Sequence, residues 1–253
     1  MVIRKLLLSV FLAIFFSCSE SVEIHSSNTA ALLEKSKALR LRGDKVEQSL
    51  FRKRDSIESM SGDNKELMNQ EQGIGFVNIE NISQDFVLDM KYATQDNFLK
   101  EKVYSCAKCY VRDEVAEALI EANMDFMKLG YKIKFFDCYR PHSVQKKMWK
   151  IFPNPGYVAD PKGGSIHNKG AAVDITLVKL DGSEVDMGTN FDHFGKEAHH
   201  AYRELPESVI KNRKLLRETM NKHGFRTIRT EWWHYNYKSS LKYKISNFTW
   251  ECE

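Results

Sequence analysis

Ser165-Ile166-His167-Asn168-Lys169-Gly170-Ala171-Ala172-Val173-Asp174-Ile175-Thr176-Leu177-Val178 is the stretch from which the rest of this 253-residue chain is read. Its second half, Ala172 to Val178, is apolar and β-rich, the composition of a buried strand. One carboxylate, Asp174, sits inside that run, and His167 precedes it by seven residues. An odd offset on one straight strand would point the two side chains to opposite faces. Gly170 lies between them and, having no Cβ, lets the backbone bend there.

Downstream, Glu231-Trp232-Trp233-His234 adds a second imidazole and a second carboxylate. The two segments together supply what a hydrolytic zinc site needs: three protein ligands, an open position for water, and a base for its proton. Either histidine alone is ordinarily a packed or surface residue; the combination is what points to a metal. The arrangement is not the helical H-E-x-x-H pattern, because no histidine lies four residues before His234. Three residues apart, Glu231 and His234 share a face on a helix and oppose each other on a strand. Both can meet one ion only if the backbone turns between them.

Around these segments the chain reads as an alternation of helices and strands. Asp113 opens a helix with Val115, Leu119, Ala122 and Phe126 on one face, closed by Gly130. Tyr131 to Phe136 alternates polar and apolar residues as a half-exposed strand leading to Asp137. Ser143 starts a second helix with Val144, Met148 and Ile151. Leu180-Asp181-Gly182-Ser183 is a turn, and Pro206 to His223 is a third helix stopped by Gly224. Phe225 to Tyr237 is aromatic and β-rich. Without βαβ regularity, the expected class is α+β: a single compact domain, a central antiparallel sheet flanked by helices, and the zinc site on that sheet.

The motifs S-x-H-x-x-G-x-A-x-D and E-W-W-H resemble those of the D-alanyl-D-alanine dipeptidases among the zinc peptidases. The likeness extends to Asp89-Met90-Lys91-Tyr92-Ala93-Thr94-Gln95-Asp96-Asn97-Phe98, Asp137-Cys138-Tyr139-Arg140-Pro141, Met187-Gly188-Thr189-Asn190-Phe191-Asp192 and Asn212-Arg213, in order, over about residues 76 to 237. The resemblance implies one Zn2+ on His167, Asp174 and His234, with Glu231 as general base, and hydrolysis of D-Ala-D-Ala to two D-alanines. A fourth-ligand role for Glu231 stays open. Arg140, permanently charged, is the implied partner of the oxyanion, with Asp137 orienting it; a plain salt bridge is the alternative. Asp192 and Tyr92 are implied near the substrate ammonium and Ser165 near its carboxylate. Read without the family, Ser165 is equally a turn or capping residue and Asp192 a surface acid. Ala198 stands where the family has serine before His199 and His200, and both histidines read as structural.

The N-terminus adds a location. Arg4 and Lys5 precede an apolar run, Leu6 to Phe16, then Ser17-Cys18-Ser19. A basic start and a short apolar stretch make a secretory signal, well under the roughly 20 residues of a membrane span. Ser17-Cys18 resembles a lipoprotein box, with Phe15 departing from the usual leucine; cleavage without lipidation is the alternative. The expectation is a signal peptide over 1–17, a charged tether over 18–73 and the catalytic domain over 74–253. The protein would then be exported, periplasmic or held at the outer membrane by lipid on Cys18. Four more cysteines, Cys106, Cys109, Cys138 and Cys252, suit disulfides in an oxidising compartment, with the pairing open. Cys138 reads equally as a small buried residue. A formal net charge of +4 is too mild for a polyanionic partner, so no nucleic acid is expected. Two rival readings stand beside the dipeptidase. One is a D,D-carboxypeptidase or endopeptidase on peptidoglycan stems, which must accept a blocked amine. The other is a non-catalytic zinc- or cell-wall-binding lipoprotein.

Overall fold

A computed structural model of the chain describes residue 73 and residues 75–252. The signal segment 1–17, Cys18 and the tether up to residue 72 lie outside the described residues. Among the described residues no helix is long and apolar enough to cross a membrane.

Five strands form the main sheet. In spatial order they are β2 (Val87–Leu88), β4 (Tyr131–Asp137), β5 (Ala172–Lys179), β7 (His234–Tyr237) and β6 (Phe225–Thr227). The steps from β4 to β6 are antiparallel, whereas the short edge strand β2 runs parallel to β4. The expected antiparallel sheet is therefore mixed. A second sheet pairs β1 (Phe76–Asn78) with β3 (Tyr110–Arg112).

The α1 helix (Asp113–Lys128) packs on β4 and touches α3 (Glu207–Lys222), which packs on β6. The α1 stripe read from the sequence is the buried one: Val115, Leu119, Ala122 and Phe126 are fully enclosed. Gly130 ends that helix in the left-handed region at φ 88°, which only glycine adopts without steric cost. The middle helix, α2, runs His142–Ile151.

The strand at the centre behaves as its composition requires. Ala172 to Val178 is buried throughout; β4 pairs with it from Asp174 to Lys179 and β7 from Ala172 to Asp174, which places the strand in the interior of the sheet. The β4 strand is less exposed than its alternation suggested: only Tyr131 and Lys132 keep partial exposure, and Ile133 to Asp137 are buried. Lys134 reaches out of this buried strand to Glu184 at 2.6 Å, so its charge is paired at the surface.

One irregularity in β4 governs the site. Phe135 pairs with Ile175, but Asp137 then pairs with Asp174, so Phe136 is an extra residue on that edge. A bulge re-aims the residue after it. Here it brings Asp137 into the row in which Asp174 faces His234 across β5 and β7.

Two disulfides tie the loops to this frame: Cys106–Cys252 and Cys109–Cys138. The first fastens the C-terminal tail, whose Phe248 carbonyl accepts from Tyr139 Oη at 2.9 Å. In the same tail, Ser246 N donates to the Asn168 carbonyl at 2.9 Å. The segment before β5 and the one after β4 are braced from the same side.

Candidate active site

Asp174 and His234 are direct cross-strand partners, so their side chains leave the sheet on one face. His167 reaches them from outside the sheet. It opens a single 3-10 turn (His167–Lys169) that ends at Gly170, φ 71°, and this left-handed residue reverses the chain into β5. A Cβ at Gly170 would run into the Phe76 ring, so the position needs glycine for space as well as conformation. The odd offset from Asp174 disappears because His167 is not on the strand. Glu231 likewise precedes β7 in a loop, and its carboxylate comes to 4.0 Å from His234 Nδ1.

The ring orientations follow from acceptors that sequence reading did not anticipate. His167 Nδ1 lies 2.8 Å from the Cys138 carbonyl oxygen, which can only accept. His234 Nε2 lies 2.9 Å from Asn236 Oδ1, two residues along the same strand face. Each neutral ring thus donates its N–H away from the centre and turns a lone pair inward. His167 Nε2 and His234 Nδ1 are 3.2 Å apart. Asp174 completes the triangle at 3.0 Å from His234 and 3.4 Å from His167.

With both rings neutral and turned this way, two lone pairs and a carboxylate oxygen converge on one point, an arrangement that a cation satisfies. Ligand bonds of about 2.0–2.1 Å at tetrahedral angles space donor atoms by about 3.3 Å, close to these separations. The donor set therefore fits zinc, and all three residues are buried.

The surrounding charges are tuned by burial and by each other. Burial opposes ionisation of Asp174, yet the positive charge and N–H groups that His167 and His234 carry when protonated hold its carboxyl well below the usual carboxylate range; a cation between the neutral rings acts in the same direction. Burial raises Glu231, with Asp174 adding to the rise and His234 working against it. A carboxyl raised in this way is easier to protonate than an exposed one, which suits a group that takes and returns a proton.

Arg140 is 7% exposed and held on two sides. Its Nη2 and Nε donate to Asp137 Oδ2 at 2.6 and 3.2 Å, and Nη1 donates to Gln145 Oε1 at 2.9 Å. Asp137 is fully buried and also accepts from Tyr104 Oη at 2.6 Å and Cys138 N at 2.9 Å. Gln145 and Tyr104 carried no signal in the sequence, since each acts on Arg140 or Asp137 through contacts no local pattern reports.

Tyr92 Oη donates to the two oxygens of Asp192 at 3.1 and 3.2 Å. Burial, and then the Asp192 charge, push the Tyr92 phenol well above its ordinary value, so it stays a donor. Asp192 has φ 59°, a left-handed backbone that a side chain other than glycine's rarely adopts. Ser165 Oγ accepts from His167 N at 3.2 Å, the capping role that reading without the family allowed. These residues line one cavity of about 360 Å3 together with Tyr157, Phe194 and Trp233. A larger cleft of about 730 Å3 shares Asp192 and is lined by Lys91, Asp96, Lys134 and Glu184. Its charges pair with each other, Lys91 with Asp96 at 2.7 Å and Lys134 with Glu184 at 2.6 Å.

Sequence comparison agrees with a hydrolytic metal centre. The family model described as D-Ala-D-Ala dipeptidase matches residues 72–250, and the chain belongs to that family of zinc metallopeptidases. The D-alanyl-D-alanine dipeptidase of Escherichia coli K12 is 31% identical over 176 residues, 70% of this chain and 91% of that protein. The D-alanyl-D-alanine dipeptidase of Enterococcus faecalis is 35% identical over 185 residues, 64% of this chain and 90% of that one. Among solved structures, the LD-carboxypeptidase LdcB aligns with 25% identity and a TM-score of 0.36, covering 53% of this chain and 62% of that chain.

Proposed function

We propose that this protein hydrolyses free D-alanyl-D-alanine at the cavity between His167, Asp174, His234, Glu231 and Asp192. The observation that carries the reading is the pairing, in one small cavity, of a zinc-type donor set with a carboxylate set apart from it. Asp174 and His234 would hold the ion from the sheet and His167 from the turn before it. Zinc, when bound, supplies a Lewis acid that acidifies water and polarises the scissile carbonyl.

The chain's own residues do the rest. Glu231 takes the proton of the attacking water as its oxygen adds to the carbonyl carbon. It then passes that proton to the leaving nitrogen, so the C–N bond breaks with its electron pair on nitrogen. Arg140 faces the oxyanion. Asp137 and Gln145 hold three of its five N–H groups, which fixes the direction in which the guanidinium faces the cavity. Asp192, with Tyr92 behind it, receives the substrate ammonium, and Ser165 lies at the carboxylate end. A blocked amine would leave the buried Asp192 carboxylate with its Tyr92 hydrogen bond but no cation, which selects against longer peptides.

The protein acts outside the cytoplasm in this reading, with residues 1–17 removed and Cys18 lipidated, and 74–253 forming the catalytic domain. Two disulfides support an oxidising compartment. The test is D-alanine release by the purified zinc-loaded chain from D-Ala-D-Ala and from its N-acetylated form. Cleavage of the free dipeptide alone is expected. Equal cleavage of both would move the enzyme to the carboxypeptidases and remove the ammonium role of Asp192. Turnover of neither would leave a binding protein.

A further inference from the structure

The Cys109–Cys138 disulfide lies directly behind the site, and both cysteines are fully buried. Cys109 immediately precedes β3 and Cys138 immediately follows β4, so the bond joins the two sheets at one end. Both backbone groups of Cys138 are used by the site. Its carbonyl accepts from His167 Nδ1 at 2.8 Å, and its N–H donates to Asp137 Oδ1 at 2.9 Å. The first contact sets which ring nitrogen His167 turns inward. The second orients the carboxylate that grips Arg140.

This stretch has left the sheet by then. Asp137 is the last β4 residue, and it pairs only beyond a bulge. Hydrogen bonds further along steady it: Tyr139 N to the Tyr110 carbonyl at 2.8 Å, Arg140 N to the His167 carbonyl at 3.1 Å, Asn168 Nδ2 to the Arg140 carbonyl at 2.8 Å and Tyr139 Oη to the Phe248 carbonyl at 2.9 Å. All of these act on Tyr139 and Arg140, whereas the disulfide acts on Cys138 itself. The covalent tie is thus the firmest link between Cys138 and the rest of the fold. The other bond, Cys106–Cys252, joins half-buried and exposed cysteines at the tail, and neither donates to nor accepts from the site residues.

We propose that the Cys109–Cys138 disulfide is a positioning element of the active centre. It holds the Cys138 peptide that orients both the metal-facing histidine and the oxyanion arginine. The inference rests on the metal-site reading given above. Loss of the bond lets the Cys138 peptide rotate, which weakens the hydrogen bond on His167 and loosens Asp137 against Arg140 together.

The experiment compares three full-length proteins: wild type, Cys109→Ala/Cys138→Ala and Cys106→Ala/Cys252→Ala. Zinc affinity is read by chelator competition well below each melting temperature, and kcat and KM are read on D-Ala-D-Ala. Removing a partner that orients a ligand typically weakens metal binding or activity about 10- to 100-fold; that is expected for the Cys109/Cys138 pair, with KM within about threefold of wild type. The Cys106/Cys252 pair should keep zinc affinity and kcat while losing thermal stability. If the alanine pair is not recovered folded, Cys109→Ser/Cys138→Ser keeps nearly the volume of two thiols. Wild-type zinc affinity and kcat in the Cys109/Cys138 variant would overturn the proposal, and so would equal losses in both variants. A wild type that binds no zinc would remove the metal-site reading and this inference with it. A functional wild type beside an unaffected variant removes the inference alone.

Discussion

Asp137→Asn removes one negative charge with almost no change of shape, at a fully buried position that accepts four hydrogen bonds. An amide has one acceptor oxygen where the carboxylate has two. If that oxygen faces Arg140, the new NH2 group meets the N–H of Cys138. If the amide is turned the other way, NH2 meets Nη2 and Nε of Arg140. In both orientations a buried donor faces a donor, and the guanidinium loses its carboxylate hydrogen-bond partner among the described residues. Breaking a buried ion pair by neutralising one member typically costs about 3–5 kcal/mol. At roughly 2–4 °C per kcal/mol for a domain of this size, the melting temperature should fall by about 6–20 °C. Turnover should fall as well, because Arg140 keeps Gln145 but loses the carboxylate that fixes its direction. Losing one oxyanion donor outright costs about 10²–10³ in kcat, which sets the ceiling. The assay is thermal unfolding of the zinc-loaded, disulfide-intact protein, with hydrolysis of D-Ala-D-Ala measured alongside. A melting temperature within about 2 °C of wild type and an unchanged kcat would refute the argument, since the pair would then be contributing less than about 1 kcal/mol.

Glu231→Gln should retain zinc while kcat drops by about 10²–10⁴ with little change in KM, as loss of a general base does; loss of the metal would make Glu231 a ligand instead. Gly170→Ala combines a left-handed backbone with a clash against Phe76, and should lower unfolding stability in urea by about 2–4 kcal/mol. Wild-type stability there would mean that the turn before β5 is free to move. His200 gives a pH signature: burial, and then Arg217, Arg213 and Arg203, lower its pKa to about 4 in the folded protein. The unfolded chain, at about 6.5, binds the proton first, so this contribution to stability is full above pH 6.5 and shrinks as the pH falls toward about 4. His200→Gln should flatten that part of the stability curve, and an unchanged slope would show that other groups produce it.

Much of the fold was legible because burial along one element leaves a local period. The run Ala172 to Val178 is apolar except for Asp174 and Thr176 because the strand lies in the interior of the sheet and is buried along its length. The α1 stripe recurs at helical spacing because one side of the helix meets β4. The parallel edge strand β2 escaped because two residues are too few to carry any period. Candidate donors could be picked out by chemical type, since few combinations of His, Asp and Glu serve a hydrolytic metal, and the three that the resemblance implied as ligands, His167, Asp174 and His234, lie together in the structure.

Their convergence could not be read. His167 meets Asp174 because a left-handed Gly170 ends its turn, and Asp137 joins the row only through a bulge at Phe136. Asp192 meets Tyr92 across 100 residues of sequence. The two bridges link Cys106 to Cys252 and Cys109 to Cys138, although Cys106 and Cys109 lie within one short motif. The Cys138 carbonyl, which orients His167, belongs to the backbone and has no side-chain signature at all. The sequence by itself determined which groups were available and which elements would be buried. Only the tertiary structure decided which of those groups meet and which way each ring and guanidinium turns. Those outcomes depend on contacts between segments far apart in the chain, whereas local periodicity records only the environment of one segment at a time.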